Sequence, residues 1–226
     1  MTGAGDLVVV VPRRFDQRHI PAIVESKAAW IERARGRVEA RRAAAAAALA
    51  GEPSLPESIS LPALGEAWSV EYRAGSSDRA VAREGAGGRL VVTAPAGDEE
   101  AARRALVNWL KRRAAEALPE RLEVLGRHHG LRFAAVSVRN QRSRWGSCSP
   151  RGNISLNLRL LFLEPEVVDY VLLHELCHTR ELNHGPRFWA LLRSLDRDWA
   201  VHRRRAREVW RTLPGWVRAE DGAAGL

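Results

Sequence analysis

In the segment His174-Glu175-Leu176-Cys177-His178, two histidines four residues apart bracket a glutamate, and His184 follows after a short gap. On a helix, residues i and i+4 stack on one face, so the two imidazoles can aim at a single ion. Glu175 is rotated by about 100° from His174, which sets a carboxylate beside the ion's open position, able to take a proton from bound water without being a ligand. On a continuing helix His184 would be rotated by about 240° from His178 and would point away, so the helix must stop first. Asn183 can take the left-handed conformation that ends helices, and Gly185-Pro186 supplies a turn and a residue preset to start another helix. Such a break can swing His184 back towards the ion. Three protein ligands with a fourth position for water is the arrangement of catalytic zinc, whereas structural zinc sites are closed by four ligands, often thiolates. The chemistry is then metal-assisted hydrolysis: water whose pKa is lowered towards roughly 7, and Glu175 as the base that accepts its proton and returns it to the leaving group. A bare HExxH string also arises by chance on amphipathic helices; the apolar lead-in, the third histidine and the helix stop set this one apart.

Residues 165 to 182 read as the helix that carries the pair: Pro165 suits a first turn, and Val168, Val171, Leu172, Leu176 and Leu182 recur at near-helical spacing. Ahead of it Phe133 to Val138, Arg144 to Ser149 and Asn153 to Arg159 are strand candidates, with Pro150-Arg151-Gly152 as a turn between the last two. In the third, Ile154, Leu156 and Leu158 alternate with polar residues, so one face packs. Behind the gap, Phe188, Trp189, Leu192 and Leu195 follow helical spacing and predict a core helix under His184, with Trp210 and Trp216 in similar work. Further upstream Ala67 to Arg73, Arg79 to Glu84 and Arg89 to Ala94 predict a small antiparallel sheet, and Asp98 caps a helix that runs to Gly130 with a bend or break around Pro119. Glu52 to Pro62, with three prolines, reads as a linker. Pro21 to Ala50 reads as one long helix with Trp30 and Ile31 on its apolar side and Gly51 as its stop, and Leu7 to Val11 as a first strand ended by Pro12.

Several side chains near the HExxH segment admit two readings. Trp145 either lines a substrate cleft or anchors a core. Asn157 either orients a ligand or caps a turn. Tyr170, one turn before His174, either donates to a developing oxyanion or packs, and the downstream His202 is another candidate for the same donation. Asp169 and Glu181 are either partners for the histidine ring N–H groups or solvated carboxylates. Cys177, three residues after His174, packs under the helix rather than joining the ligands. His128 and His129 precede Gly130 at a helix end, where the helix carbonyls account for them.

The run Arg144-Trp-Gly-Ser-Cys148, then Asn153-Ile-Ser-Leu-Asn157, Asp169-Tyr170, HELCH, and Asn183-His184 with Phe188-Trp189 resembles the YgjP-like metallopeptidases, relatives of SprT-like and minigluzincin proteins. The likeness is densest over residues 136 to 192 and extends more loosely over most of the chain. It implies an α+β fold, a zincin-like metallopeptidase core with a metal-binding HExxH helix, Zn2+ held by His174, His178 and His184, and Glu175 as catalytic acid/base. It also implies that the hairpin lies beside the metal helix, where an exposed edge could hold an extended polypeptide substrate by strand addition. Relatives begin with a basic strand ahead of the segment matching Val8 to Pro12, while this chain starts almost directly there, which leaves either an incomplete first hairpin or a start placed late. Glu181 stands where metzincins carry glycine, and that group is set aside.

Composition sets the outer limits. With 226 residues the chain can bury a substantial core, divided here as residues 1–97, an N-terminal helix and small sheet, and 98–226, the metallopeptidase domain. No apolar run is long enough to span a bilayer, no signal peptide frames Val8 to Val11, and the two cysteines, Cys148 and Cys177, have no paired metal spacing; together these favour a reducing cytoplasm. The net charge of +9 comes almost wholly from arginine, with lysine only at Lys27 and Lys111. The densest basic patch, His202 to Arg207, reads as a solvated helical face, with nucleic-acid binding as the lesser reading. Two alternatives to the peptidase stand beside it, a nucleic-acid-associated SprT-like protease and a non-catalytic zinc-binding interaction module.

Overall fold

The computed structural model describes residues 9, 11, 15–49, 54–77 and 79–218, the side chains of Val38 and of residues 41–49 excepted. It divides into two units, residues 1–53 with 220–226, and Ser54–Ala219. In the first, α1 (Ile20–Ser26) and α2 (Ala28–Leu49) replace the single helix expected over Pro21 to Ala50. The break is at Lys27, whose backbone leaves the helical region (φ −109°, ψ 7°). Trp30, expected on an apolar side, is 51% exposed, because an Ala- and Arg-rich helix offers no continuous apolar stripe for it to join. Leu7, Val8 and Val10 of the expected first strand, and the expected stop at Gly51, lie outside the described residues.

The second unit starts with a strand inside the expected linker. Ser58–Leu61 (β1) alternates polar with apolar, and Ile59 and Leu61 are buried; the flanking prolines mask a strand without preventing it. With β2 (Glu66–Ala74), β3 (Val81–Gly85) and β4 (Arg89–Ala94) it forms a sheet in the order β1-β2-β4-β3. The expected antiparallel sheet is therefore mixed: β4 pairs antiparallel with β3 but parallel with β2. The connection from Gly75 to Ala80 steps over one strand position, and the tight turn from β3 lets β4 return into the gap.

Asp98 starts the helix that organises this unit, its carboxylate accepting the Ala101 N–H at 2.8 Å. The helix, α3 (Glu99–His128), runs through Pro119 without a break, one of the two outcomes expected there. It buries Leu106, Trp109, Leu110, Leu118 and Leu122, and packs against β3 and β4 on one side and the next sheet and helix on the other. That second sheet, β5 (Ala135–Arg139), β6 (Gly146–Cys148) and β7 (Asn153–Asn157), has the order β5-β7-β6, with β5 parallel and β6 antiparallel to β7. The β6–β7 turn is closed by the Gly152 N–H on the Ser149 carbonyl at 2.8 Å and needs the positive φ of Gly152 (75°). Three helices follow, α4 (Pro165–Cys177), α5 (Pro186–Leu195) and α6 (Trp199–Thr212), and the class is α+β. No helix among the described residues is long and apolar enough to cross a membrane.

Candidate active site

The helix carrying HExxH is apolar on nearly every side: Val167, Val168, Val171, Leu172 and Leu176 are all buried, and α4 packs against α3, α5, α6 and β6. It ends at Cys177, short of the residue 182 read from periodicity. The cause is local. The N–H groups of Thr179 and Arg180 turn back to the carbonyls of Leu176 and Cys177 at 3.0 Å each, and the Thr179 hydroxyl donates to the Leu176 carbonyl at 2.7 Å. Leu182, expected on the buried stripe, is consequently 54% exposed. The early stop allows the following loop to bring His184 back to the helix.

His174, His178 and His184 converge, with one ring nitrogen or more from each within 4.8 Å of the others, and the Nε2 atoms of His174 and His184 are 3.0 Å apart. Phe188, fully buried on α5, packs on all three rings at centroid distances of 4.9, 4.6 and 4.7 Å. Trp189 stacks on His184 and donates its indole N–H to the His184 carbonyl at 3.0 Å. His178 Nδ1 lies 3.0 Å from the Glu181 carbonyl; an N–H there donates to the oxygen and leaves the lone pair on Nε2 free to ligate. Burial, then the neighbouring His178, His184 and Arg203, pushes His174 down to about 3, and His184 is lowered in the same way by burial, His178 and Arg203. Both of these rings are held in the neutral form that ligates. Tetrahedral zinc with Zn–N of about 2.0–2.1 Å needs nitrogens roughly 3.3 Å apart, within the range these three span.

Beside them Glu175 is 5% exposed, and its Oε2 has no hydrogen-bond partner. From the protein's own groups alone, burial pushes its carboxyl up to about 8 against the opposing charge of Arg144. Space for it is provided by β6: a Cβ on Gly146 would stand 2.7 Å from Glu175 Oε1. Glu175 and His174 line a cleft of about 270 Å³ whose other walls are Trp145, Gly146, Tyr170 and Val171, with three arginines at its margin.

A family profile described as YgjP-like, metallopeptidase domain, matches residues 1–208. The chain belongs to this family. Among solved structures it is similar to the metallopeptidase zymogen abylysin of Pyrococcus abyssi, at 23% identity and a TM-score of 0.37 over 42% of this chain and 94% of that one. It is likewise similar to the metallopeptidase zymogen jannalysin of Methanocaldococcus jannaschii, at 17% identity and a TM-score of 0.37 over 41% of this chain and 96% of the other. No curated protein matches.

Within this YgjP-like chain the remaining candidates separate. Tyr170 lines the cleft with its ring 6.0 Å from that of His174, and burial raises its phenol to about 12, which keeps the O–H as a donor. His202 does not line the cleft; it lies behind Tyr170, ring to ring at 6.4 Å, with Nδ1 2.8 Å from Asp196 Oδ2. Trp145 does both things read for it, facing the cleft while its indole donates to the Ala206 carbonyl at 3.2 Å and packs edge-on against Trp210. Asn157 caps a turn, accepting the Arg159 N–H at 3.1 Å, and its amide also donates to the carbonyls of Gln141 and Arg144 at 2.8 and 2.7 Å. Asp169 serves no histidine but pairs with Arg121 at 2.6 Å, and Glu181 supplies His178 with a backbone carbonyl in place of its carboxylate. Cys177 is fully buried and outside the group of three, its thiol pushed up to about 12 by burial. His128 and His129 pack on each other at the end of α3. The space that Gly146 leaves for Glu175 and the placement of the Arg203 guanidinium over the Trp189 ring were missed by sequence reasoning, because neither has a periodic signal.

Proposed function

We propose that this member of the family is a zinc-dependent peptidase in which His174, His178 and His184 hold the ion and Glu175 is the general base. The observation that carries the proposal is the convergence of three imidazoles, one of which, His174, shares a cleft with the buried carboxyl of Glu175, whose Oε2 has no hydrogen-bond partner. Zinc bound there would supply Lewis acidity, polarising a peptide carbonyl and making water acidic enough to be deprotonated near neutrality. Glu175 accepts that proton and returns it to the leaving amine. Tyr170 is positioned on the cleft wall to donate to the oxyanion that develops on the carbonyl oxygen.

The polypeptide is held along β6. Trp145 and Ser149 bond to Asn157 and Asn153 of the neighbouring strand, so by antiparallel alternation Ser147 faces inward while Gly146 and Cys148 turn their N–H and C=O groups to the free edge. An extended substrate can pair with these two residues next to Glu175, through contacts that read backbone rather than sequence. A non-catalytic zinc module is disfavoured by the cost of burying Glu175, which a purely structural site has no reason to bear.

Elemental mass spectrometry of the purified protein tests the assignment. Stoichiometric zinc is expected in the parent, a sharp loss in His184→Ala, and retained zinc without peptide cleavage in Glu175→Gln. Metal held equally by the His184 variant would remove the third ligand, and proteolysis surviving in Glu175→Gln would remove the base.

A further inference from the structure

The face that α6 turns towards the cleft is basic. Arg203, Ala206 and Arg207, at spacing i, i+3, i+4, line it, and Arg144 approaches from the start of β6. Among the described residues no carboxylate lies within ion-pair distance of any of these three arginines, whereas Arg204, on another side of the same helix, faces Glu208 at 3.9 Å. Among the described residues, the one carboxylate on the cleft wall is Glu175. Arg203 is held in place with its guanidinium 5.0 Å from the centre of the Trp189 ring, which in turn stacks on His184. Two like charges a turn apart repel, and the apolar walls formed by Trp145, Tyr170 and Val171 leave less water to screen them. An incoming anion relieves that repulsion, and a guanidinium fork matches a carboxylate with two parallel hydrogen bonds.

We propose that Arg203 and Arg207, assisted by Arg144, form a carboxylate-binding subsite that directs the peptidase to acidic polypeptide segments. This rests on the peptidase reading of the adjoining histidines and Glu175. Backbone pairing on β6 does not discriminate between sequences; the arginines supply the discrimination. The carboxylate comes either from an Asp or Glu side chain near the scissile bond or from the substrate's C-terminus. A peptide is favoured over a nucleic acid as the occupant because the arginines open into the same cleft as Glu175 and His174, beside the free edge of β6.

The test uses the zinc-loaded full chain and end-blocked, C-terminally amidated peptides in matched pairs, Glu against Gln and Asp against Asn, with a second set of neutral peptides carrying a free or an amidated C-terminus. The acidic member of one set is expected to be cleaved with a kcat/KM about tenfold higher or more, the scale of one charge-assisted hydrogen bond, and the set that shows it identifies the source of the carboxylate. In R203Q/R207Q with zinc content unchanged, that ratio falls towards one, and Arg207→Glu, a change at an exposed position, shifts preference to Lys-containing peptides. A ratio near one in the parent, or one undiminished in R203Q/R207Q, overturns the subsite while leaving the peptidase intact. If no peptide is cleaved, the peptidase reading has failed, and binding of the same fluorescent pairs to the protein decides the subsite: tighter binding of the acidic member, lost in R203Q/R207Q, supports it, and equal binding overturns it. Salt-sensitive binding of a short DNA duplex lost in R203Q/R207Q, in place of any peptide preference, also overturns it.

Discussion

Gly146 has no side chain, and Glu175 occupies the space that this leaves. A methyl group there would come within 2.7 Å of Oε1, 2.8 Å of Cγ and 2.9 Å of Cδ of the glutamate, so the carboxylate must move. On the proposed assignment Gly146→Ala is therefore expected to retain zinc, because no histidine is among the atoms met, and to lose about a hundredfold in kcat through displacement of Glu175. Steady-state kinetics beside metal analysis checks this, and full turnover in the variant would show that Glu175 works from another position. Tyr170→Phe separates the two readings of the phenol. If the O–H meets the developing oxyanion, kcat falls by about 10²–10³-fold with KM little changed. A residue that only packs would lose stability with little effect on kcat, since the ring remains.

At the scale of elements, the site depends on Asn157 as much as on the helix. Its buried side chain ties the end of β7 to the carbonyls of Gln141 and Arg144, and so fixes the segment that enters β6 beside α4. Asn157→Ala leaves two carbonyls and an N–H unpaired and is expected to cost about 1–3 kcal/mol in denaturant unfolding, with a raised KM as the edge loosens. An unchanged KM would detach β6 from substrate binding. The sequence made the histidine pair and the apolar helix readable because both obey the period of a helix, and the return of His184 followed from the need for a break. The position of that break was not readable: it is set by the hydroxyl of Thr179 and by turns back to Leu176 and Cys177, interactions that leave periodicity untouched. Strand direction failed for a similar reason. The segments β2, β3 and β4 were legible from composition, yet whether a strand pairs with its predecessor or steps over a position is decided by the connection and by what α3 covers. The short alternation Ser58 to Leu61 lay hidden among prolines that the strand never had to contain.

For the molecule as a whole, the three histidines come from segments that the rest of the second unit must hold together: His174 and His178 from the last turn and cap of α4, His184 from the loop pinned by α5. Arg121 on α3 fastens the start of α4, bonding Asp169 at 2.6 Å and the Pro165 carbonyl at 2.8 Å, so the site is coupled to the central helix and through it to both sheets. An ion that binds only the assembled triad draws its affinity from that whole arrangement, and by linkage returns it as stability. At free zinc about a hundredfold above the dissociation constant, the gain is about 2.7 kcal/mol. For a chain of this size that corresponds to a rise in Tm of roughly 5–10 °C. Scanning calorimetry of protein stripped with a chelator and then reconstituted is expected to show that rise. The same titration of His184→Ala should give little or none of it, because two imidazoles remain where three converged. A rise of equal size in the variant would place the stabilising ion somewhere other than the triad, and no rise in the parent would mean that the three rings do not bind zinc strongly enough to serve a peptidase.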